Sequence, residues 1–170
     1  MASSGAARRA EIPAGGLSTP RLGRAWLAFC AALALHVTDE ALSGFLRVWN
    51  LTVAAVHARW PWFPMPAFRF EVWLGGLIAG VLLLFTISPL FFRGGGRLRV
   101  AAYVVAALIG VGNGLGHTVA TILGHTAPEV RFPRPAPGFY SSPFLIAAAL
   151  WLIYELRRSS GDSRFAEITN

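Results

Sequence analysis

In AALALHVTDEALSGF, residues 31–45, His36, Asp39 and Glu40 interrupt a run of leucine, alanine and valine. At 3.6 residues per turn, spacings of three, four and seven put His36, Asp39, Glu40 and Ser43 on one narrow helical face, with Arg47 continuing it. Adjacent ionised carboxylates repel, so the pair calls for a cation, a protonated histidine or protonation of one carboxylate. A second polar set lies in GVGNGLGHTVATILGH, where Asn113 and His117 are four residues apart and Thr121 follows one turn later. Two imidazoles, two carboxylates and an amide make a donor set for a divalent metal. Zinc, iron and manganese all accept it. His36, Asp39, Glu40 and His117 are the candidate ligands. Whichever of Asp39 and Glu40 does not ligate is the candidate general base toward a metal-bound water. Asn113, Ser43 and Thr121 would support the centre. Tyr140 and Ser142, with His125 and Ser141, come from helix ends and are expected to line its entrance.

The cluster must be positioned by membrane helices. Of the 170 residues, 55% are hydrophobic and only 14% charged. A net charge of +7 does not indicate nucleic acid, because the arginines flank apolar segments instead of forming one patch. Four such segments, at 25–49, 72–92, 100–123 and 139–156, approach the roughly 20 residues needed to cross a bilayer core. The fourth is strongly apolar only from Pro143 to Tyr154, and Pro143 suits a first helical turn. The expected fold is therefore all-α, a bundle of four transmembrane helices over 23–158, with mobile tails at 1–22 and 159–170. Cys30 is the only cysteine, so no intramolecular disulfide forms. A cleavable signal ending at Ala32-Leu33-Ala34 is disfavoured, because the apolar character resumes beyond the polar cluster.

Arginine supplies every basic residue. Together with the abundance of alanine and glycine, this suggests a GC-rich bacterial genome and an inner-membrane protein. Placing both termini in the cytoplasm puts the arginines near 8–24, 93–99 and 157–164 inside, as the positive-inside rule favours. In that arrangement the first and third helices both run outward. His36 to Glu40 then lie roughly 17–23 Å in, and Asn113 and His117 roughly 20–26 Å, at 1.5 Å per residue. The two clusters reach one level. An ionisable group left facing lipid there costs about 2.5–3.5 kcal/mol on insertion scales, so each set needs the other.

HVTDEALSGF, NGLGHTVATIL and APGFYSSPFLIAAALWLI resemble, in that order, the motifs of the HXXEE-domain membrane proteins. The resemblance spans about 25–156. It implies that His36, Asp39, Glu40, Asn113 and His117 are signature positions, with Pro137-Gly138 ahead of the last helix. Asp39 departs from the pattern, being one methylene shorter than the glutamate in the family's name. No activity comes with the resemblance. The residues suggest a metal-dependent membrane enzyme acting on a lipid-like or small amphipathic substrate. A proton-linked binding or transport module and a structural network pairing helices one and three are the alternatives.

Overall fold

The computed structural model describes the backbone of residues 20–168 and the side chains of residues 20–158. The N-terminal tail up to residue 19 lies outside the described residues. The chain is mostly helical. Helix α1 spans Pro20–Ser43, α2 Phe45–Arg59, α3 Phe70–Thr86 and α4 Ser88–Phe92. Helix α5, Leu98–Val105, passes through a π-helical turn at Ala106–Gly112 into α6, Asn113–Leu123. Strands β1, His125–Ala127, and β2, Val130–Arg131, form an antiparallel hairpin before α7, Ser142–Ile168.

Among the described residues, three helical stretches are long and apolar enough to cross a membrane, where four were expected: Pro20–Ser43, Phe70–Phe92 and Leu98–Leu123. The expected boundaries change at several places. The first helix was expected to reach residue 49 but stops at Gly44, whose φ of 80° is a left-handed conformation that ends a helix and suits glycine. Arg47 therefore belongs to α2, off the polar stripe. The second stretch breaks at Ile87, just before Pro89, which has no N–H to continue the ladder. The Leu84 carbonyl there accepts the Trp26 indole N–H at 3.0 Å, and the Trp26 ring stacks on Phe91 at 3.8 Å between centroids. The last helix starts at Ser142 and continues through 159–168, where a tail was expected, since propagating a formed helix is cheap. The hairpin is a β element that an all-α reading did not contain. It is tied to α2 by Thr52–Thr126 and by Arg59–Glu129 at 2.6 Å.

Helix α1 forms the centre, packed against α3, α4 and α7. Phe29, Cys30, Leu145, Ala149 and Leu152 are fully buried between α1 and α7. Antiparallel to α7, the third stretch makes backbone-close contacts through two glycines. A Cβ on Gly110 would overlap the Cβ of Ala149, and one on Gly114 would lie 2.6 Å from Ile146. This is small-xxx-small packing. Helix α3 buries none of its residues. Gly110→Val should therefore destabilise the bundle by about 1–3 kcal/mol, through overpacking. Gly75→Val, where an added Cβ meets nothing within 4 Å, should leave stability unchanged. Denaturant titration of the purified protein in detergent measures both.

Candidate metal centre

Helices α1 and α6 run in the same direction and meet through their polar side chains. The amide of Asn113 meets His36, and one turn on His117 meets Glu40, each pair 77 residues apart in sequence. The Asn113 Nδ2–H donates to His36 Nε2 at 2.9 Å, and His117 Nε2–H donates to Glu40 Oε1 at 3.0 Å. His36 Nε2 lies 3.4 Å from the same Glu40 oxygen. The imidazoles meet edge to face with centroids 4.9 Å apart. His36, Glu40 and His117 are 1%, 5% and 5% exposed, so this carboxylate has almost no access to solvent. Each of the three offers one ligand atom, and these atoms all lie within 4.8 Å of one another, close enough to hold a metal ion.

The far side of His36 fixes its tautomer. Ser141 Oγ lies 2.8 Å from His36 Nδ1 and 2.7 Å from Asp39 Oδ2, which also accepts the Ser141 backbone N–H at 2.9 Å. A serine hydroxyl has one proton, and the carboxylate is its strongest nearby acceptor. Ser141 therefore donates to Asp39 and accepts from His36 Nδ1–H. The His36 Nε2 lone pair accepts the Asn113 Nδ2–H, and the same nitrogen lies 3.4 Å from Glu40 Oε1. The Asn113 bond requires the same tautomer from the opposite side. Orienting a histidine through its other nitrogen is how metal-binding imidazoles are usually held.

The loop before α7 closes the site. Gly138 has φ 83°, and its backbone lies against the His117 ring, so a Cβ there would come within 2.7 Å of His117 Cε1 and 3.1 Å of Glu40 Cγ. The Gly138 N–H donates to Ser43 Oγ at 3.1 Å, and the Gly138 carbonyl accepts from Ser142 Oγ at 2.7 Å. Thr121 donates to the His117 carbonyl and accepts the Ala136 N–H. Ser43, Thr121 and Ser142 thus hold the loop over the centre.

Asp39 and the residues expected at the entrance are placed differently. Asp39 does not join the three ligand atoms: one residue along a helix turns a side chain by about 100°, enough to aim Asp39 at Ser141 while Glu40 faces His117. Of the two carboxylates, Glu40 is the one placed among the three ligand atoms, and Asp39 is engaged by Ser141. Tyr140 is 70% exposed and lines an outer cavity with Arg47, away from the centre, and His125 sits in β1. Ser141 was expected at an entrance and instead bridges His36 to Asp39. Sequence reasoning missed the direct contact of the Gly138 backbone with His117, for which the only signal was the Pro137-Gly138 turn. It also missed a cavity of about 660 Å³ beside His36, Glu40 and Asn113, walled by α1, α3 and the 108–116 region.

No protein-family model, curated protein or solved structure matches this chain. Ser141→Ala should cost about 1–3 kcal/mol, because it leaves the buried His36 Nδ1–H without its acceptor. Gly138→Ala should destabilise as well, through the His117 contact and the positive φ. Tyr140→Phe, at an exposed position, should be neutral. Thermal unfolding of the three variants in detergent distinguishes them.

Proposed function

We propose that this chain is a membrane enzyme in which His36, Glu40 and His117 hold a divalent metal that acts on a lipid-like substrate. The carrying observation is the convergence of three buried ligand atoms from two parallel helices. Two imidazoles and a carboxylate leave coordination positions open, the pattern of catalytic zinc sites and of non-haem iron sites. A metal bound there supplies Lewis acidity and a bound water with a pKa of about 7, suited to hydrolysis or proton transfer. The protein's own groups account for the rest. Asp39 and Ser141 hold the His36 tautomer, Asn113 offers amide N–H groups at the edge of the cavity, and Glu40 balances part of the metal's charge.

A second reading has its own observation. Asp39, Ser141, His36, Asn113, Glu40 and His117 are linked by short polar contacts through the bundle. Such a chain suits a proton-linked binding or transport module. Elemental analysis of the purified protein separates the two. Under the enzyme reading, about one metal per chain is retained, and His36→Ala and His117→Ala each remove it while the protein stays membrane-inserted. Metal-free protein that carries protons across liposomes supports the second reading instead.

For the topology, the arginine distribution supports four crossings with both termini in the cytoplasm of a bacterial inner membrane, α7 being the fourth crossing. Reporter fusions should place the C-terminus and the 93–99 loop on the cytoplasmic side. A periplasmic C-terminus overturns that arrangement.

A further inference from the structure

The cavity beside the metal centre has a shape and lining of its own. One wall is α1, the second is α3, and the third is the π-helical turn with α6. Helix α3 and the 98–123 stretch are both apolar enough to cross a membrane, and α3 buries none of its residues. The cavity between them is open rather than enclosed. Ionisable and amide groups reach this space at one level, through His36, Glu40 and Asn113. On one side of that level the walls are aliphatic, with Leu33, Leu77 and Leu108. On the other they are aromatic, with Trp49, Phe68 and Trp73.

The space is kept open by glycines. Gly76, Gly112 and Gly116 all line it. A Cβ at Gly76 or Gly116 meets nothing within 4 Å, whereas Gly110 and Gly114 on the same stretch are filled by α7. Glycine is unfavourable in a helix interior compared with alanine, and close packing does not require it at Gly76 or Gly116. What the missing side chains preserve is volume.

We propose that this cleft takes a single-chain acyl amphiphile from the bilayer, its chain lying among Leu33, Leu77 and Leu108 and its carbonyl or carboxyl group at the level of His36, Glu40 and Asn113. The proposal rests on the function proposed above and names its substrate class. A volume of about 660 Å³ falls within the roughly 300–1,000 Å³ of sites that enclose one small ligand, too little for a whole two-chain phospholipid. Lipid tails are as apolar as leucine, so moving the chain from bilayer to cleft contributes little. Recognition comes from the acyl oxygens, which find Asn113 N–H groups and the metal centre at a depth where lipid offers no partner.

The test uses the full chain reconstituted in phosphatidylcholine vesicles, with a palmitate probe bearing a photoreactive diazirine near the end of its chain. Labelling should concentrate on Leu77, Leu108 and Ile109. Gly76→Leu combined with Gly116→Leu should fill the cleft and lower that labelling about tenfold, leaving metal content unchanged. Leucine favours helix, so the variant is expected to fold. Displacement of the probe by excess palmitate alone assigns a carboxylate head, and displacement by monopalmitoylglycerol as well assigns the acyl carbonyl. Failure of both to displace it overturns the proposal. So does labelling spread evenly onto the exposed Leu82, Leu83 and Val100, or labelling that survives the double substitution. Cleft labelling without retained metal upholds this proposal and removes the metal assignment. Metal without cleft labelling removes this proposal alone.

Discussion

A carboxylate that is 5% exposed inside an apolar bundle constrains everything around it. Glu40 has two imidazoles within reach of one oxygen, His117 at 3.0 Å and His36 at 3.4 Å. Removing His117 would take away the N–H that Glu40 accepts and leave a charge in a medium that cannot solvate it, which costs about 3–5 kcal/mol for a broken buried pair. The two parallel helices must therefore hold their register, because a shift of one residue would turn His117 away from Glu40. With neutral histidines, Glu40 leaves a net negative charge in the interior, and a divalent cation or a proton balances it.

Several backbone features serve this contact. The π-helical turn at Ala106–Gly112 lies immediately before Asn113, and wide turns of this kind are frequent at functional sites. Gly44 stops α1 one residue after Ser43, letting α2 leave and the 132–141 loop come down over the centre. Gly138 then brings its backbone against the His117 ring with no side chain between them. Two glycine pairs on one helical stretch have opposite uses. Gly110 and Gly114 admit α7, while Gly112 and Gly116 face the cleft.

Much of this was legible in the residues. Of the four apolar runs read as spans, three correspond to stretches able to cross a membrane, because span length follows from bilayer thickness and helical rise. The i, i+3, i+4 spacing put His36, Asp39 and Glu40 on one face, and equal depth paired that face with Asn113 and His117. Less could be read at the ends of helices. Hydropathy does not register a left-handed Gly44, and it did not expect the short hairpin at 125–131.

What the sequence by itself determined was the set of polar groups and their depth, since both depend on spacing along single helices. The division of labour among those groups came from tertiary structure. Asp39 and Glu40 look interchangeable as neighbouring carboxylates. They separate because the 100° between them faces Asp39 toward Ser141, just before α7, and Glu40 toward His117 on α6. The tautomer of His36, the contact with Gly138 and the cleft beside Asn113 each arise between segments about 20 to 105 residues apart. Local spacing carries no information about such pairings, because the angle at which one helix meets another is set by side-chain and glycine packing across the whole bundle.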